Sequence, residues 1–313
     1  MNAAIEIENV NKSFGSLKAV DDLSLTVPLG SMCGFLGPNG AGKTTTIRMI
    51  MSIIFPDSGR ISVLGRDSAV ESKDLIGYLP EERGVYRKMK VLEFLVYMAR
   101  LKGVDAGTAK KRAELWLERV NLPDVTKKRL EELSKGMQQK VQLAATLIND
   151  PQLIILDEPF SGLDPVNARM LRDLIIELNQ DEGRTFIFST HVLHQAEQIC
   201  DRIFMINRGR KVLDGPLEEI QARFDPRTLL VRLNGESADL ARFNGVMRVN
   251  RVQNEHEVYL DDGADPHGVM QDILSATRAR KVELRRLSLD DIFISLVEDA
   301  HLNEFGELEV GRG

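Results

Sequence analysis

The stretch GPNGAGKTT, residues 37–45, sets the fold of this 313-residue chain. It follows a short apolar run, SMCGFL (31–36), and leads into TIRMIMSII (46–54), whose apolar spacing suits a helix. Strand, glycine-rich loop and helix in that order are the context the pattern G-x-x-x-x-G-K-[ST] requires. Gly37, Gly40 and Gly42 let the loop curl through Pro38, Asn39 and Ala41, so that its N–H groups point inward at phosphate oxygens. The helix behind the loop adds its positive N-terminal end. Lys43 is expected to reach the β- and γ-phosphates, Thr44 to hold magnesium, and Thr45 to finish the ATP cradle.

A phosphate loop of this kind needs a second strand that delivers carboxylates. LIILDE (153–158) supplies it, with four apolar residues, as in a strand buried on both faces, and then two acids. Asp157 is expected to hold magnesium, directly or through water. Glu158, one residue on, is placed to polarise an attacking water, which makes it the general-base candidate. GTPases, kinases and ATPases all carry such loops. The guanine-reading pattern [NT]KxD does not occur, since NKSF at Asn11 lacks the acid, and this disfavours a GTPase.

Between and beyond these motifs stand LSKGMQQK (133–140), SGLD (161–164) and STH (189–191). With them the chain resembles, over about residues 5–220, the ATPase subunit of ABC transporters. The resemblance implies a P-loop NTPase (RecA-like) α/β core, an antiparallel β subdomain and an α-helical subdomain over about 88–150 that carries the signature. It further implies a head-to-tail dimer around two Mg-ATP, in which Ser134 and Gly136 of one copy bind the γ-phosphate held by the other. Asp164 would lie at the dimer seam, His191 would sense the γ-phosphate, and Phe14 would stack on adenine. Two positions depart from the commonest signature, LSGGQ: Lys135 adds a positive charge and Met137 removes an amide.

IGYLPEERGVY (76–86) reads as a strand running into a proline turn. In most of the family a glutamine that touches magnesium follows this strand; here the position is Glu81. A carboxylate there is expected to pair with a cation, either magnesium or an arginine such as Arg83. Glu82, Arg83 and Tyr86 face either a permease or solvent. Past GRKVLDGPLEEIQARF (209–224) the match stops, so the ATPase domain is expected to span residues 1–225. Residues 226–300 read as a small α+β appendage, ferredoxin-like in outline, which resembles that of bacterial exporter ATPases of the sodium- or drug-extrusion type. Residues 301–313 read as a flexible tail.

Composition agrees with a globular protein: 43% hydrophobic and 28% charged residues. The net charge is −6, and the 11 basic against 16 acidic side chains from residue 226 onward place most of it in the appendage, which argues against a nucleic-acid partner. Cys33 and Cys200 stand alone in apolar contexts and read as reduced core residues. No apolar run approaches the roughly 18 residues of a membrane span, so the expected location is cytoplasmic, peripheral on the inner face of the membrane through a separate integral permease. A soluble ABC ATPase of translation or DNA repair, and an ATP-gated regulator without turnover, are the alternatives.

Overall fold

The computed structural model describes residues 3–81, 86–224, 227–234 and 238–302, with side chains described as far as residue 296. The expectations for Glu82, Arg83 and nearly all of the tail fall outside the described residues. The chain divides into two compact units, Met1–Leu217 and Glu218–Gly313.

The first unit opens with β1 (Ala3–Phe14), β2 (Leu17–Pro28), β3 (Met32–Leu36), α1 (Lys43–Ile50) and β4 (Ser58–Val63). It continues through α2 (Ala69–Ser72), β5 (Ile76–Leu79), α3 (Val91–Leu101), α4 (Ala106–Arg119), α5 (Lys135–Leu147) and β6 (Leu153–Asp157). The remainder is α6 (Pro165–Gln180), β7 (Thr185–Thr190), α7 (Leu193–Glu197), β8 (Arg202–Asn207) and β9 (Arg210–Pro216).

Two sheets follow from two kinds of strand. In β1 and β2 buried and exposed residues alternate over much of their length, and these strands pair antiparallel with each other, β4 completing the order β2-β1-β4. In β3, β6 and β7 every residue is buried, as expected of a sheet covered on both faces. They lie in the six-stranded order β5-β6-β7-β3-β8-β9, parallel except for the antiparallel β9. The apolar run RIFMIN of β8 and its hairpin partner β9 are elements that the sequence reading did not resolve. The helical segment forms as expected: α3 buries Val91, Phe94 and Leu95, and α4 buries Trp116 and Leu117. Cys33 and Cys200 are both buried and unpaired, and burial pushes the Cys33 thiol up to about 12.

The second unit holds α8 (Leu217–Arg223, begun at the boundary), β10 (Thr228–Leu233), β11 (Val246–Val252), β12 (Glu255–Leu260), α9 (Pro266–Ala276), β13 (Ala279–Leu284) and α10 (Leu289–Leu302). Its sheet runs β11-β12-β10-β13 with every neighbouring pair antiparallel. Counted from β10 as first, this is the order 2-3-1-4 of a ferredoxin-like sheet, with the helix between first and second strands reduced to one 3₁₀ turn, Leu240–Arg242. Leu229, Val231, Val258, Val269 and Ile273 form its core. No helix among the described residues is long and apolar enough to cross a membrane.

Phe188, fully buried at the centre of β7, packs its ring 5.3 Å from that of Phe160, just past the end of β6. Phe188→Ala is expected to lower the unfolding free energy of the first unit by about 3–5 kcal/mol, as read from urea denaturation.

Candidate functional site

Because β3, β6 and β7 run parallel, their carboxyl ends all emerge on one side of the sheet, where loops of α/β proteins gather ligands. Three of the singled-out segments leave the sheet there. The loop 37–42 follows β3, Glu158 follows β6, and His191 follows β7.

The loop after β3 owes its path to close approach. Gly37 (φ +149°) and Gly42 (φ +107°) lie in the backbone region that favours glycine. A Cβ on Gly37 would stand 2.1 Å from the Ile206 carbonyl oxygen, and one on Gly42 would stand 2.5 Å from that of Ala19. Both positions exclude a side chain. The loop delivers Lys43, the first residue of α1, into a buried position where its ammonium donates to the carbonyl oxygens of Gly37 (2.7 Å) and Pro38 (3.1 Å). Burial pulls the Lys43 ammonium below its usual range, while the charges of Glu158, Asp157 and Glu81 pull it back up.

A cleft of about 720 Å³ opens beside this lysine. Asn39, Gly40, Gly42, Thr44 and Thr45 line one wall, and Glu81, Asp157 and Glu158 another. Phe14 lines the cleft, 50% exposed and outside the hydrophobic core, with the Lys12 ammonium over its ring at 5.6 Å from the centroid. Pro38 and Ala41 belong to the backbone of the loop rather than to the lining. Leu17, Lys18, Ala19 and Arg208 also line the cleft and were missed in the sequence. An apolar run ending in NRG, the signal of a tight hairpin, points to Arg208.

Asp157 is 2% exposed, and its Oδ2 has no hydrogen-bond partner among the described residues. Burial, together with the charges of Glu81 and Glu158, raises the Asp157 carboxyl above the usual carboxylate range. An orphaned carboxylate oxygen on the same cleft as a threonine hydroxyl fits magnesium, a hard cation that takes oxygen ligands. Among the described residues no group of three or more His, Cys, Asp and Glu could hold a metal alone.

Glu158 is buried and sits in the left-handed region (φ +49°), a conformation uncommon outside glycine. Three groups grip its carboxylate. The Thr190 hydroxyl donates to Oε2 at 3.1 Å, while the His191 backbone N–H donates to Oε1 at 2.9 Å and His191 Nδ1 lies 2.6 Å from the same oxygen. The strained turn and the clamp hold this carboxylate at the mouth of the loop that carries Lys43.

Ser134, Gly136 and Asp164 are not among the residues lining this cleft. Ser134 is exposed and caps α5, its hydroxyl accepting from the Met137 N–H at 3.2 Å. Asp164 caps α6, accepting from the N–H groups of Val166 (3.1 Å) and Asn167 (3.0 Å).

Comparison with known proteins agrees with this geometry. The ABC transporter family matches residues 20–161, and the C-terminal domain of DrrA1-3-like ATP-binding proteins matches residues 215–297. The chain is 40% identical to the uncharacterized ABC transporter ATP-binding protein YhaQ of Bacillus subtilis, over 94% of this chain and 98% of that one. It is 35% identical to Nod factor export ATP-binding protein I of a Rhizobium species, over 94% of this chain and 96% of that one. A solved ATP-binding subunit of an ABC transporter superposes with a TM-score of 0.65 at 29% identity, covering 71% of this chain and 93% of the other. A phosphate loop and a buried Asp-Glu pair on one cleft, with a histidine clamped to the glutamate just outside its lining, in a chain related to the Bacillus and Rhizobium proteins along nearly its whole length, identify it as a member of the ATP-binding, ATP-hydrolysing subunits of ABC transporters.

Proposed function

We propose that this chain powers an exporter: two copies close head-to-tail around two Mg-ATP and drive a substrate out through a separate integral membrane permease, to which the pair is bound at the inner, cytoplasmic face. The observation that carries the hydrolytic reading is the clamped Glu158 carboxylate beside the buried Lys43. The export reading draws on the Rhizobium relative, named for export, and on the DrrA-like C-terminal match.

ATP enters with adenine against Phe14 and its phosphates along the backbone N–H groups of residues 37–45. Lys43 exchanges its carbonyl partners for phosphate oxygens and neutralises charge that grows in the transition state. Thr44 and Asp157 would hold magnesium, with Glu81 as a further carboxylate on the same cleft, and the chemistry it would supply there is neutralisation of phosphate charge. Glu158 orients a water in line with the γ-phosphate and accepts its proton, while His191 fixes the carboxylate and reads the γ-phosphate. Ser134 and Gly136 stand outside their own cleft at the start of α5, whose N–H groups suit an anion; they serve the partner's nucleotide, with Asp164 at the seam. Binding closes the pair and hydrolysis releases it.

Glu158→Gln is expected to slow ATP hydrolysis by about 10²–10⁴-fold, the usual contribution of a positioned base. The variant should elute as an ATP-dependent dimer in size-exclusion chromatography; hydrolysis at the parent rate would remove Glu158 from the chemistry. Glu81→Gln, by contrast, is expected to keep much of the ATPase rate, since an amide can also ligate magnesium. A loss as deep as that of Glu158→Gln would make Glu81 a participant in the reaction.

Asp157→Asn separates stability from activity. The folded pKa of Asp157 lies above its unfolded value, so the ionised carboxylate weakens the fold above the folded pKa and has no such effect below the unfolded one, about 4. The variant is expected to unfold at a higher temperature than the parent at pH 7.5 without nucleotide. The gain should vanish as the pH falls below about 4 while hydrolysis is lost throughout, both read by calorimetry and phosphate release.

A further inference from the structure

The hairpin between β8 and β9 turns on two residues, Arg208 and Gly209, with Asn207 paired to Arg210. Both central residues have positive φ, +48° and +79°, which makes the turn type I′. Such turns favour Asn, Asp or Gly at the first central position, because a longer side chain there is strained. Arginine gives the hairpin no advantage that asparagine or glycine would not give at less strain.

The hairpin is fastened to the nucleotide cleft from behind. The Gly209 N–H donates to the Ala41 carbonyl of the phosphate loop at 2.9 Å, and the Gly209 carbonyl accepts from the Asp21 N–H at 2.9 Å. A Cβ on Gly209 would lie 2.9 Å from the Ala19 carbonyl oxygen, so strand and loop meet without side chains between them. The two arginines of the turn then differ. Arg210 is paired with Asp21 at 2.7 Å, and Asp21 also pairs with Lys18. Arg208 makes no hydrogen bond or ion pair with another described residue, yet it lines the cleft between the rim at Phe14 and the phosphate loop.

The cleft's other cations are already matched: Lys43 by carbonyl oxygens and carboxylates, Lys18 by Asp21. We infer that Arg208 is a nucleotide-binding residue, an exposed guanidinium that pairs with the phosphate charge common to ATP and ADP. It adds affinity for either nucleotide and plays no part in cleaving the γ-phosphate bond. This rests on the ATP reading of the cleft.

The test is Arg208→Gly, since glycine suits the turn better and the fold should not suffer. Binding of ATP and ADP to the full-length protein is measured by titration calorimetry at low and high salt, beside Arg208→Lys and Lys43→Ala. Arg208→Gly should bind both nucleotides about three- to fivefold more weakly at low ionic strength, with a melting temperature at or above the parent's. The deficit should shrink in high salt, as expected of an exposed charge pair, and Arg208→Lys should recover part of it. Parent-like affinity of Arg208→Gly for both nucleotides, or a deficit confined to ATP, overturns the assignment. If Lys43→Ala weakens binding and Arg208→Gly does not, only the role of Arg208 falls. If neither weakens it, the nucleotide reading of the cleft falls as well.

Discussion

A lysine ammonium buried at the mouth of a sheet organises this molecule. Lys43 is 7% exposed, a burial costly for a cation unless charge and hydrogen bonds compensate. Carbonyl oxygens of the loop it belongs to hold it, and three carboxylates supply opposite charge. The lysine in turn offsets part of the crowding that raises the Asp157 carboxyl. Loop carbonyls and carboxylates thus offset the cost of burying the ammonium, and cradle and acids stand as one electrostatic unit.

The strand order serves that unit. Lys43 leaves the sheet after β3, while Asp157 ends β6 and Glu158 follows it, with β7 between the two strands, so the histidine after β7 falls within reach of Glu158. The Phe188–Phe160 contact backs the turn that carries Glu158, and the left-handed conformation of that residue is sustained by the grip of Thr190 and His191. Packing in the core and geometry at the cleft are therefore two ends of one arrangement. The β8–β9 hairpin extends it, since its Gly209 is bonded to the phosphate loop itself.

Much of this was legible in the sequence because the signals are local. A glycine loop between an apolar run and a helix, an apolar run ending in Asp-Glu, and a serine opening an amphipathic helix each carry their physics within about ten residues. The appendage was only partly legible: its strands and helix 266–276 carry readable patterns, but Val246–Val252, a strand with only partly buried and exposed residues, was not read. Ferredoxin-like order appears only once that strand takes its place at the edge of the sheet.

By itself the sequence determined the family and the motif residues, because loop, acids and histidine belong to motifs whose residue types leave few alternatives. Tertiary structure alone decided which of these groups meet. It clamped Glu158 with Thr190 and His191, left one oxygen of Asp157 without a partner among the described residues, and kept Ser134 and Gly136 out of the lining of their own cleft. It also brought Arg208, far along the chain from the phosphate loop, to that loop's edge. The reason is that a contact between distant strands depends on sheet order and backbone bonds across the sheet, and neither is written in the residues on either side of a position.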